Sequence, residues 1–205
     1  MSLVLGDLKW RCWKNEMITN IFFDYGGVLV PSATTSISEN PNRDRIKQLF
    51  YEPELLIGDE GTLQRLLSDG YRDLNMTPEQ VISIFDTRER YWMTWNIAHR
   101  LRHGGLGVGM ISDCFYELAQ STRNSYGVAS LFDPLILSPE VKLTKRNKRI
   151  FEHARNLVKA NSDQLVMIDD NINCLDNAVL DGWNVIHFRD QLLLETQLKN
   201  LGVSF

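Results

Sequence analysis

The chain has 205 residues, enough for one sizeable core or a core with a small appendage, and its 43% apolar and 23% charged composition is that of an ordinary globular protein. A net charge of −4 without any long basic block argues against nucleic acid as the main partner. No apolar run reaches the ~18 residues that a membrane span needs, and Cys12, Cys114 and Cys174 are far apart with no Cys-x-x-Cys, which supports neither a disulfide framework nor a zinc ribbon. A reducing, cytoplasmic setting is therefore expected.

Residues 1–16 contain Asp7, Lys9, Arg11, Lys14 and Glu16, which break any signal-peptide core. They are expected to be an N-terminal extension, with Met1-Ser2-Leu3 open to a tag origin and Met17 to use as an alternative start. The first strand is predicted over Ile18–Phe23. It ends in Asp24, and Gly26 and Gly27 allow a tight turn after it. From 31 to 100 the signals are helical. Asp44–Tyr51 and Thr62–Leu74 read as helices, and Thr77-Pro78-Glu79-Gln80 is a capping box with proline at the first helical position, flanked by Met76 and Val81 as a hydrophobic staple.

Further strands are predicted at Leu106–Ile111, Leu135–Leu137, Leu165–Ile168 and Val185–Phe188. Their near-continuous apolar character fits strands covered on both faces. Helical faces lie between and after them: Phe115, Leu118 and Ala119; Ile150, Phe151, Ala154, Leu157 and Val158; Ile172, Leu175 and Val179, stopped by Gly182; and Leu194, Leu198 and Leu201, stopped by Gly202. Strand and helix alternation of this kind implies βαβ units. The expected fold class is α/β. A Rossmann-like parallel sheet core is built from 1–30 and 101–205, and a helical cap, 31–100, is inserted after the first strand and placed over Asp24.

Two apolar runs from distant parts of the chain end in carboxylates, Asp24 and Asp169-Asp170. In an open α/β sheet both would emerge at the edge where ligands bind. Together they suggest a shared cation site, whereas either alone is equally well a helix cap or turn residue.

Four segments then occur in order: Phe22-Phe23-Asp24-Tyr25-Gly26-Gly27-Val28-Leu29, Val108-Gly109-Met110-Ile111-Ser112-Asp113, Ser138-Pro139-Glu140-Val141-Lys142-Leu143-Thr144-Lys145, and Ile168-Asp169-Asp170-Asn171. This series resembles the haloacid dehalogenase-like (HAD) hydrolase superfamily over nearly everything from Ile18 to Phe205, and in particular a phosphatase-like subgroup with a small helical cap. The resemblance implies that Asp24 is the nucleophile, forming an aspartyl-phosphate from a small phosphorylated substrate. It implies that Mg²⁺ is held by Asp24, Asp170 and the backbone carbonyl at Gly26, with Asp169 orienting its neighbour. Lys145 would supply a fixed positive charge, with Lys142 and Lys148 near enough to compete for that assignment. Ser112, Asp113 and Lys145 would contact the substrate, although Ser112 is also a candidate N-cap for the next helix.

The pattern departs from the superfamily at Gly26, where most phosphatases carry a second aspartate that protonates the leaving group. General acid–base help of this kind is worth ~10²–10⁴ in rate. Three possibilities stay open: a phosphatase with another proton source, a 2-haloacid dehalogenase-type hydrolase whose halide needs no proton, and a non-catalytic protein that binds a phosphorylated ligand or a partner. Arg146 and Cys174 are smaller departures. His99, His103, His153 and His187 match no metal spacing and are read as structural, and Trp92 and Trp95 as packing residues. The oligomeric state stays open.

Overall fold

The structure, a computed structural model, describes residues 17–32, 35, 37–86 and 89–204. The extension expected over 1–16 lies outside them. Five strands, β1 (Asn20–Phe23), β2 (Gly107–Ser112), β3 (Leu135–Leu137), β4 (Leu165–Asp169) and β5 (Asn184–His187), form one sheet in the order β3-β2-β1-β4-β5. Every neighbouring pair is parallel, as predicted for this α/β class. β1 is central. Phe23 pairs with Met110 on one side and Ile168 on the other, so β1 and β4 end side by side.

Both faces of the sheet are covered, and the side chains alternate between two apolar clusters. Ile21, Phe23, Val166 and Ile168 join one cluster, while Phe22, Leu165 and Met167 join the other. Such two-sided burial explains why the strands read as continuous apolar runs. The second cluster is closed by helices α9 (Arg149–Val158) and α10 (Ile172–Leu180) through Ile150, Phe151, Ala154, Leu175 and Ala178.

The faces of these helices are narrower than predicted. Leu157, Ile172 and Val179 are more than half exposed, and α10 turns Cys174, Leu175 and Ala178 inward instead. At 100° per residue, Leu175 and Ala178 share a stripe that Ile172 and Val179 only flank.

Between β1 and β2 the described residues add no strand to the sheet; beyond one isolated bridge, Gly26–Val30, they form the helices α1 (Arg43–Phe50), α2 (Pro53–Leu56), α3 (Thr62–Asp69), α4 (Pro78–Asp86) and α5 (Trp92–His103). The helix predicted over Thr62–Leu74 stops at Asp69. Gly70 forms its C-cap, the N–H groups of Gly70 and Tyr71 both reach back to the Leu66 carbonyl, and a separate 3₁₀ turn covers Arg72–Leu74. At α4 the capping box forms in both directions, Thr77 N–H to Gln80 Oε1 at 2.9 Å and Gln80 N–H to Thr77 Oγ1 at 3.3 Å. Helix α5 runs unbroken through residue 100. It packs against β2 and the last helix, α11 (Gln191–Asn200), where Arg100 pairs with Glu195 at 2.7 Å.

The inserted helices share one apolar cluster with a face of the sheet. Ile46, Leu49, Leu55 and Leu63 belong with Phe23, Val108 and Phe115. Phe85 of α4 joins the two parts, stacked on Phe50 at 5.0 Å and edge-on to Phe115 at 5.8 Å.

Phe22 tests the opposite face. It is fully buried and lies 5.1 Å from Trp183. Phe22→Ala is expected to lower unfolding stability by about 3–5 kcal/mol, as read by urea denaturation.

Candidate active site

The site begins where β1 ends. Asp24 keeps the ladder going for one more bond, its N–H to the Ile168 carbonyl at 2.9 Å, and the chain then folds into a tight flap. Gly27 N–H donates to the Val30 carbonyl at 2.7 Å, and the N–H groups of Leu29 and Val30 both reach the Tyr25 carbonyl. Gly27 has φ +86°, and a Cβ there would lie 2.2 Å from Asp170 Oδ2. Glycine is required at 27 both for the turn and for the close approach of Asp170.

Lys145 ties the strand ends together. Its ammonium, buried at 2% exposure, lies 2.8 Å from Asp24 Oδ1 and 2.6 Å from Asp169 Oδ2. Asp169 is wholly buried, and its other oxygen accepts the Asn171 N–H at 2.8 Å, so both of its oxygens are occupied. The backbone of Lys145 is pinned as well, its N–H to Asp113 Oδ1 at 2.9 Å and its carbonyl to Asn177 Nδ2 at 3.1 Å. The competing lysines go elsewhere: Lys142 to Asp59 and the Ile57 carbonyl, Lys148 to Glu152.

One ammonium therefore serves two carboxylates while a third stands close by. Single carboxylate oxygens of Asp24, Asp169 and Asp170 all lie within 4.8 Å of one another. Burial, together with Asp169 and Asp170, outweighs the help of Lys145 and pushes the Asp24 carboxyl up to about 8. Burial and Asp169 likewise raise Asp170. An all-oxygen set with surplus negative charge suits a hard divalent cation.

These residues open onto a cavity of about 340 Å³. Asp24, Gly26, Ser112, Asp113, Lys145 and Asp170 all line it, so the structure brings together every predicted site residue except Asp169, which lies beneath. Ser112 caps no helix, because α6 (Tyr116–Asn124) starts later with Phe115 at its N-cap; the short α7 (Val128–Leu131) and α8 (Ser138–Val141) follow before α9. Cys114 and Cys174 also line the cavity, but burial raises both thiols, Cys174 to about 12, which favours the neutral thiol over the nucleophilic thiolate.

Among the lining residues that sequence reasoning did not assign to the site, His187, Tyr51 and Arg146 bear most on its chemistry. His187 pairs across the sheet with Asp169, which no local motif announces. Its Nε2 lies 3.1 Å from the Asp170 carbonyl and its Nδ1 3.4 Å from an Arg189 nitrogen. A carbonyl only accepts and a guanidinium only donates, so the hydrogen sits on Nε2 and His187 props the Asp170 backbone. Tyr51 and Arg146 also line the cavity, with the guanidinium 5.5 Å from the ring centroid. Of the tryptophans, Trp95 is core, with Nε1 donating to the Leu29 carbonyl at 3.0 Å, and Trp92 is exposed; neither reaches the cavity.

The sequence profile of haloacid dehalogenase-like hydrolases matches residues 18–176. The chain belongs to this family. No curated protein matches this hydrolase. Its fold is shared with solved structures of low identity. A HAD-like family hydrolase of Porphyromonas gingivalis is 20% identical with a TM-score of 0.69, covering 90% of this chain and 98% of its own. A HAD family enzyme of Bacteroides thetaiotaomicron, solved with magnesium and inorganic phosphate, is 18% identical with a TM-score of 0.65, covering 84% and 94%. The L-2-haloacid dehalogenase of Xanthobacter autotrophicus is 15% identical with a TM-score of 0.63, covering 90% and 83%. Substrate class within the family is thus not decided by fold.

A raised Asp24 has a thermodynamic consequence. Between its ordinary value of 3.8 and about 8, the folded hydrolase holds a proton there that the unfolded chain has lost. Stability from this group is complete below the ordinary value and is lost as pH rises through about 8, by at most about 1.4 kcal/mol per pH unit. Asp24→Asn lacks the titration. In chelator, its melting temperature is expected to gain on the wild type steadily from pH 5 to 8.5, and a constant difference would refute the assignment.

Proposed function

We propose that this hydrolase is a Mg²⁺-dependent phosphatase of small phosphomonoesters, acting through an aspartyl-phosphate at Asp24, with the inserted helices as its cap. The observation that carries the proposal is the placement of Asp24 beside Lys145 and within reach of Asp170 at one cavity. Asp24 Oδ1 takes both the Lys145 ammonium and the Tyr25 N–H at 2.7 Å, which leaves Oδ2 as the oxygen without a donor among the described residues. Oδ2 attacks phosphorus, the bond to the leaving oxygen breaks, and water later cleaves the acyl phosphate at phosphorus. Asp24, Asp170 and the Gly26 carbonyl would hold the metal. When bound, it offsets the repulsion between carboxylate and phosphate dianion. Lys145 adds its charge, Ser112 offers its hydroxyl to the phosphoryl oxygens, and Asp169 fixes Lys145. Asp113, whose carboxylate is taken by Lys145 N–H, would meet a phosphoryl group through its backbone.

Gly26 favours a second possibility, a 2-haloacid dehalogenase-type reaction, because halide leaves without a proton. The acidic cluster weighs against it: a carboxylate attacking a haloacid gains nothing from a site that demands a divalent cation.

Three outcomes are expected, two from a panel of phosphoesters and 2-haloacids assayed with and without Mg²⁺ and one from thermal melts. Aryl phosphates should turn over only with the metal, and Asp24→Asn should remove that activity by at least ~10³-fold while the variant stays folded. With no carboxyl group at position 26, log kcat should fall steeply with rising leaving-group pKa, whereas a flat plot under rate-limiting chemistry would require another proton donor. Mg²⁺ should raise the wild-type melting temperature, more at pH 8 than at pH 5.5, because binding must displace the Asp24 proton. Dehalogenation without metal would replace the phosphatase proposal.

A further inference from the structure

The cations of the cavity are unequally used. Lys145 is consumed by Asp24 and Asp169. Arg146, the next residue, is exposed and lines the same cavity, yet makes no ion pair among the described residues. Its guanidinium lies toward the inserted helices, over the ring of Tyr51 at the end of α1. Phe50, Tyr51, Leu56 and Leu118 give that side of the cavity an apolar and aromatic lining. At about 340 Å³ the space holds an organic group in addition to a phosphoryl group. The surroundings are otherwise acidic, with Asp24, Asp113 and Asp170 on the lining. A second anion could be accepted there only at a fixed positive charge.

Deepening the phosphatase proposal, on which it rests, we propose that Arg146 selects the substrate, and that this substrate is a phosphomonoester whose organic body carries a carboxylate. The body lies along Phe50, Tyr51 and Leu56, and the carboxylate meets the guanidinium fork. A guanidinium offers paired N–H donors in the geometry of a carboxylate, and the Tyr51 ring, 5.5 Å away, gives it a cation–π neighbour on the apolar side of the cavity. One guanidinium balances one negative charge. A carboxylate fulfils that condition, whereas a second phosphoryl dianion would add uncompensated charge to an acidic cavity.

The test uses binding, so it does not depend on turnover. Two matched pairs of phosphonates serve as probes in Mg²⁺ buffer: phenylphosphonate with 4-carboxyphenylphosphonate, and propylphosphonate with 3-phosphonopropionate. By calorimetry, wild-type protein is expected to prefer the carboxylated member of at least one pair by about tenfold or more. The preference should fall to near one in Arg146→Gln and return in part in Arg146→Lys, which keeps the charge without the fork. A ratio near one in both pairs for the wild type, or a ratio that survives Arg146→Gln, would overturn the proposal. The corresponding phosphate esters separate the two ideas. Turnover of both members at equal kcat/KM would reject Arg146 selection and leave the phosphatase standing. No turnover with the binding preference intact would reject the phosphatase and leave Arg146 selection standing.

Discussion

Everything at the sheet edge depends on one buried ammonium between two strand-end carboxylates. Parallel pairing of β1 with β4 sets Asp24 next to Asp169, two carboxyl groups whose ionised forms the core would not tolerate together without a counter-charge. Lys145 makes the arrangement possible, and the C-terminal ends of β1, β2 and β4 converge on it through Asp24, Asp113 and Asp169, with Asn177 of α10 holding its backbone. Removing one partner of such a buried group leaves an uncompensated charge. The same economy produces the chemistry. A single positive charge cannot satisfy three carboxylates, and the unsatisfied remainder at Asp24 and Asp170 is what makes a cation welcome.

The backbone around that charge is fixed by close fits. Asp170 sits against the hydrogen-only face of Gly27, His187 props its carbonyl, and Asn171 caps α10 by accepting the Asn173 N–H. Asp170 is thus positioned by three different strands or the loops that follow them. A carboxylate held this way is preorganised, so anything it binds meets a fixed geometry instead of assembling one on each encounter.

The strands were legible in the sequence because two-sided burial writes itself as continuous apolar runs, and Asp24, Asp169 and Asp170 because each ends such a run. Lys145 was favoured by its place in the motif series over Lys142 and Lys148, which turn away to Asp59 and Glu152. The inserted helices were read less well. Gly70 breaks what looked like one helix, and α2 is a single proline-started turn too short for periodicity to detect. The outward turn of Leu157, Ile172 and Val179 follows from how the helices lie on the sheet, which no apolar pattern specifies. His187, Tyr51 and Arg146 escaped because their place in the cavity comes from strand pairing and helix docking across long stretches of chain.

The apolar cluster that runs without a break from the sheet into the inserted helices bears on timing. Swinging those helices away as a rigid lid would bring Phe50, Phe85 and Leu49 into water, at ~25 cal/mol for each Å² uncovered. Such excursions are rare and slow compared with rotamer changes of exposed side chains, which take picoseconds to nanoseconds. Access to the cavity therefore falls to small side-chain adjustments along its lining rather than to displacement of the helices. A chamber of this kind trades breadth of substrate for constancy of shape.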